Sequence, residues 1–169
     1  MSEFNDENAP PMTALMKVQD KSGKIREIGP EVYRESGVFT KAISYCDINE
    51  VCYVDIEPEM LEEVIKFSLL FKDEPPYVPI KDSTSGEAPP DDSPGMLFFQ
   101  DVDHKVKIWQ YIRAADYLEH IRMRDYILFH VCKQVRGSST EKMRWFFDFN
   151  DPLDPVALEH KDEKGWDGE

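Results

Sequence analysis

Ile108–Gly137, IWQYIRAADYLEHIRMRDYILFHVCKQVRG, decides how the chain folds. Ile108, Tyr111, Ile112, Ala115 and Leu118 recur at helical spacing and predict one helix. A second is predicted from about Arg122 to Arg136, with Gly137 as the left-handed residue that stops it. This second helix carries more apolar residues than one face can hold: Ile121, Met123, Tyr126, Ile127, Leu128, Phe129, Val131, Cys132 and Val135 spread round most of its circumference. A helix that is apolar all round has to be covered on all sides. The chain's own domain covers one side. The opposite side, with Leu128, Cys132 and Val135, needs Phe147, Phe149, Trp166 or another protein, since each large side chain left bare forgoes about 1.5–3 kcal/mol. Periodicity allows two readings, the middle of a self-contained bundle or a docking surface.

Downstream, Ser138 with Glu141 three positions later predicts a capping box for a helix carrying Met143, Phe146 and Phe147. Asp154-Pro155 and Gly165 suit a last short helix ending before Trp166. Upstream the pattern changes. Met16 and Val18 alternate with Lys17 and Gln19, and after Asp20–Lys24 the chain resumes at Ile25–Ile28, which reads as strand, turn, strand. Gly29-Pro30 opens a helix with Val32, Tyr33 and Ser36 at helical spacing, and a short helix covers Val38–Cys46. Val51–Val54 is a third strand, and Pro58 opens a helix with Leu61, Val64, Ile65, Ser68 and Leu69 on one face. Between Lys72 and Met96 lie six prolines and six acidic residues, so residues 73–95 are expected to be an acidic loop without order of its own. Residues 1–12 are expected to be a loose acidic tail.

The chain has 169 residues with 41% apolar content, enough for one core plus an appended helical part. With 34 acidic against 20 basic side chains the net charge is -14, which opposes binding to nucleic acid or anionic lipid. Three cysteines without paired metal spacing argue against a disulfide framework or a zinc site. No apolar run reaches the roughly 18–20 residues that cross a bilayer, and no targeting signal is visible, so a cytoplasmic or nuclear location is expected.

Catalytic readings are poor. His130 and Cys132 are two apart, so on a helix they point in nearly opposite directions and cannot pair as nucleophile and base. His104, His120 and His160 have no cysteine or acidic partner at ligand spacing. No catalytic residue, metal or cofactor is expected.

The order strand–turn–strand, helices, strand, helix, then Lys72-Asp73-Glu74-Pro75-Pro76, an acidic loop and Ala114-Ala115-Asp116-Tyr117-Leu118 resembles the S-phase-kinase-associated (Skp) adaptor family of SCF-type ubiquitin ligases. The likeness continues through Cys132-Lys133, Arg136-Gly137, Thr140-Glu141-Lys142-Met143-Arg144, Phe147 and Trp166, and covers nearly the whole chain from about Leu15. The resemblance implies an α/β (α+β) fold: a BTB/POZ-like domain with a small sheet and helices at 13–130, and a C-terminal helical extension at 131–169 for dimerisation and F-box binding. It also implies a non-catalytic adaptor that bridges a cullin to F-box proteins. By position, Asp116 and Tyr117 correspond to the cullin-binding pair, and Leu128, Val131, Val135, Met143, Phe147, Phe149 and Trp166 to the F-box groove. Self-association is implied when the partner is absent. Asp116 stands where the family has Asn, Arg124 where it has an apolar residue, and Ser139-Thr140 where it has Thr-Pro.

Overall fold

A computed structural model describes residues 14–47, 49–79 and 88–147, which form a mixed α+β fold. In chain order these residues give strands β1 (Met16–Gln19) and β2 (Ile25–Ile28), helices α1 (Pro30–Tyr33) and α2 (Gly37–Tyr45), strand β3 (Val51–Tyr53), and then helices α3 (Pro58–Leu69), α4 (Pro94–Phe99), α5 (Lys105–Tyr117), α6 (Ile121–Val135) and α7 (Thr140–Phe146). The chain divides into two compact units between His130 and Val131, within α6. Phe149, Trp166 and the expected helix after Asp154 lie outside the described residues.

The alternation read at Met16–Gln19 places Met16 and Val18 in the core, with β1 in the middle of a β2-β1-β3 sheet. β2 pairs with it antiparallel, Val18 opposite Arg26, and β3 pairs parallel, Val18 opposite Cys52. The turn between β1 and β2 is organised by Asp20. Its Oδ1 accepts from the Ser22 amide at 3.0 Å, the Ser22 hydroxyl at 2.6 Å and the Lys24 amide at 3.0 Å, and Oδ2 pairs with Arg26. Burial works against the charged form of this carboxyl, but the donors of Ser22, Arg26 and Lys24 outweigh it and lower the pKa to about 2.

On α3, Met60, Leu61, Val64, Phe67 and Ser68 are buried, whereas Ile65 is half-buried and Leu69, expected on the same face, is exposed because the buried face is turned toward Met60 and Phe67. Phe67 is its hub, with ring centroids of Phe71, Phe98, Phe99, His120 and Tyr126 all between 5.2 and 5.9 Å away, mostly tilted or edge-on. α4 joins this cluster through Phe99, which also meets Tyr111 of α5 at 5.2 Å. The approach of α4 depends on Gly95, since a Cβ there would lie 2.5 Å from two ring carbons of Tyr126.

Several boundaries differ from expectation. Ser36 does not continue the helix begun at Pro30. α1 ends at Tyr33, and Ser36 is the N-cap of α2, its hydroxyl accepting from the Phe39 amide at 3.2 Å and donating to the Leu118 carbonyl at 2.6 Å. The capping residue of α7 is Ser139 instead of Ser138: Ser139 Oγ accepts from Lys142 N at 3.3 Å, while Ser138 Oγ donates back to Gln134 O at 3.2 Å. Gly137, at φ 72°, takes the left-handed position expected of it.

The acidic, proline-rich stretch also differs at both ends. Its start is held by two arginines. Arg34 Nη2 donates to the carbonyls of Phe71, Lys72 and Glu74 at 3.1, 2.6 and 3.2 Å, which satisfies backbone acceptors just beyond α3. Arg122 Nη1 bonds Glu74 Oε2 at 2.6 Å and Nη2 the Pro75 carbonyl at 3.1 Å, while Tyr77 donates to Asp125 at 3.0 Å. The far end forms α4, whose Met96 and Phe99 enter the core. Composition hid this because the arginines that order the start lie about 40 residues away on either side.

Candidate functional site

α5 ends at a corner that sequence alone did not disclose. The amide of Glu119 bonds the Asp116 carbonyl at 3.0 Å and that of His120 bonds Ala115 O at 2.7 Å, the two bonds of a Schellman C-terminus. Glu119 holds the left-handed position at φ 51°, where glycine is the usual signal. Its carboxylate grips Lys41 Nζ at 2.6 and 2.7 Å, and its carbonyl accepts from the Gly37 amide at 3.3 Å, so α2 braces the corner.

His120 starts the next helix. Its Nδ1 accepts the amide of Met123 at 3.2 Å, an N-cap built from an imidazole. Because Nδ1 is an acceptor, the proton sits on Nε2, which faces Ser68 Oγ at 3.0 Å. The serine hydroxyl in turn donates to Val64 O at 2.9 Å. Every polar atom of this buried pair is committed to backbone or to its partner, so it is a structural relay with no free base. Burial lowers the His120 pKa from 6.5 to about 4, and neighbouring Arg122 pushes the same way. The unfolded chain therefore binds the proton at higher pH than the folded one. Stability is complete above about 6.5 and falls as pH drops toward 4, a loss on the order of 3 kcal/mol. Urea unfolding of wild type and of His120→Asn, compared at pH 7 and 4.5, should show a clearly smaller pH dependence in the variant. An equal dependence in both would remove His120 as the source.

Asp116 and Tyr117 sit immediately before this corner. Asp116 is exposed, and Tyr117 is 47% exposed with its hydroxyl accepting from the Asp55 amide at 3.3 Å. That bond ties the ring to the chain just after β3. Tyr117 lines a groove of about 710 Å³ together with buried Ile56, Met60 and Ala114, basic Lys21, Lys107 and Arg113, and acidic Asp55, Glu57, Glu59 and Glu63. Lys21 and Glu57 pair across 2.7 Å. The groove thus combines apolar side chains, an aromatic ring and charges of both signs.

α6 resolves the all-round apolar pattern into two sides. Met123, Ile127 and Val131, at four-residue spacing, are buried, while Leu128 is 43% exposed and Cys132 is exposed as well. Val135, at the next turn, is half-buried. Val131 thus lies on the line of Met123 and Ile127, away from that of Leu128. On α7, Met143 is half-buried and Phe147, just past its end, is exposed, with its ring 5.2 Å from that of Phe146. Arg124 lies near Asp125, Nε to Oδ1 3.8 Å. His130 is buried with Nε2 2.8 Å from the Val102 carbonyl, which sets it apart from exposed Cys132 on the same helix.

Among the described residues no group of three or more His, Cys, Asp or Glu side chains is placed to hold a metal ion. Nor is any helix among them long and apolar enough to cross a membrane. No protein-family model matches this chain, and no curated protein matches it.

Proposed function

We propose that the protein is a non-catalytic adaptor of an SCF-type cullin–RING ubiquitin ligase, cytoplasmic or nuclear, with a BTB/POZ-like first unit. In this reading Tyr117 and Asp116 meet a cullin, and Leu128, Val135, Met143 and Phe147 belong to an F-box-binding surface. The sequence resemblance supports this reading, and α6 offers the surface it needs: one apolar line is buried, while Leu128 and Cys132 stay exposed on the other. A further support is the braced Tyr117 in its groove, an anchor whose rotamer is already restrained before any partner arrives. Bridging would raise the local concentration of substrate near the conjugating enzyme without chemistry by the adaptor itself.

The test is separate capture of a cullin N-terminal region and of an F-box segment. Tyr117→Lys should weaken cullin capture at least about tenfold, roughly 1.4 kcal/mol, and leave F-box capture intact. Leu128→Asp and Phe147→Ala should do the converse. Both sites are exposed, so the fold should tolerate all three changes. Capture of F-box partners with never a cullin, even for Asp116→Asn, would point instead to a structural component of a non-ligase assembly. That alternative is favoured by the exposed charge of Asp116 at the proposed contact. Capture of neither partner sinks the adaptor reading.

A further inference from the structure

Cys46 and Cys52 are brought to one place by the way α2 hands the chain to β3. Cys46 is the C-cap of α2, its amide bonded to Ala42 O at 2.8 Å, and Cys52 is the middle residue of β3, opposite Val18. The chain reverses between them. Glu50 N donates to Asp47 O at 2.9 Å, and Asp47 Oδ1 accepts from both the amide and the side chain of Asn49 at 2.9 and 2.8 Å. Both cysteines consequently line a single cleft of about 70 Å³. That is room for about two water molecules, and a charge on Cys46 acts on Cys52. Cys46 is exposed and Cys52 half-buried.

We propose that Cys46 and Cys52 are a redox-active pair that closes reversibly to an intramolecular disulfide with a low-molecular-weight disulfide as oxidant. Cys46, the exposed thiol, loses its proton and attacks one sulfur of the oxidant, forming a mixed disulfide and releasing one thiolate. Cys52 then loses its proton and attacks the Cys46 sulfur, forming the Cys46–Cys52 bond and expelling the second thiolate. The two released thiolates take up the two protons, and the oxidant has gained the two electrons that the cysteines lost. Burial, and then the neighbouring Cys46 charge, raise the pKa of the Cys52 thiol. The second step therefore quickens as pH rises.

The experiment uses the full chain carrying Cys132→Ser, incubated with glutathione disulfide and read by intact mass. The expected product is lighter by two hydrogens, and after cleavage at Glu50 the two fragments stay joined until a reductant is added. Closure should be faster at pH 8.5 than at pH 7, while Cys46→Ser and Cys52→Ser each abolish it. A lasting glutathione adduct on Cys46 beside a free Cys52 thiol, or no crosslink at either pH, would overturn the proposal.

Discussion

Arg122→Met is expected to lower the unfolding free energy by about 3–5 kcal/mol, because it strands a buried carboxylate. Arg122 and Glu35 side chains are each 3% exposed, with Nε donating to Oε2 at 2.9 Å. The guanidinium also lies 4.2 Å from the centroid of Phe71 and 5.1 Å from that of Tyr77, between two aromatic faces. Glu35 has no water to turn to once its partner is gone. Glu74, by contrast, is 50% exposed, and its loss by Glu74→Gln should cost no more than about 1 kcal/mol despite a bond of 2.6 Å. The pairing of Arg122→Met with Glu35→Leu should recover most of the loss, since an apolar pair of similar volume carries no uncompensated charge. Urea midpoints of the four proteins decide the matter. A double variant no better than Arg122→Met alone would mean that the aromatic stacking, not the ion pair, dominates.

Gly95→Ala carries the second large effect, and its sign separates two kinds of argument. On helix propensity alone, alanine inside α4 should stabilise by up to about 1 kcal/mol. The added Cβ, however, would lie 2.5 Å from Cδ1 and Cε1 of Tyr126, whose ring also packs 5.6 Å from Phe71 and 5.9 Å from Phe67. The ring is half-buried, and it cannot move toward the two phenylalanines without disturbing the cluster. A net loss of about 2–3 kcal/mol is expected, typical of overpacking a close contact. Thermal unfolding of Gly95→Ala beside Gly95→Ala with Tyr126→Leu checks it: the smaller partner should restore part of the loss. A stabilised Gly95→Ala would show that α4 shifts freely.

Elements with strong local signals were legible in the sequence. The alternation Met16–Gln19, the β-branched and aromatic run Val51–Tyr53, proline at the start of α3, and the long periodic segment that became α5 and α6 each follow from short-range physics. Gly137 was legible for the same reason, as glycine carries no penalty for positive φ. α4 was not. Six residues are too few to show a period, and the prolines around them read as loop. The end of α5 was equally hidden, because Glu119 occupies a left-handed position that glycine normally marks, held there by contacts with Gly37 and Lys41 of α2.

The candidate site divides in the same way. Tyr117 and Leu128 could be named from the sequence, but their setting could not. The groove lined by Tyr117 is built from residues near 21, 55–63 and 107–117, which only the packing of α3 on α5 brings together.

By itself the sequence determined the α+β class, the order of most elements and the apolar excess of the helix at Ile121–Val135. Those properties are local or compositional, set by periodicities of about 3.6 and 2 residues. Only the tertiary structure decided which side of that helix is covered and that residues 71–75 are clamped by Arg34 and Arg122. It also decided that His120 is neutral and buried, and that Cys46 and Cys52 share a cleft. Each of these depends on partners distant along the chain or folded back around a turn, and burial and electrostatics are set by what surrounds a group in space.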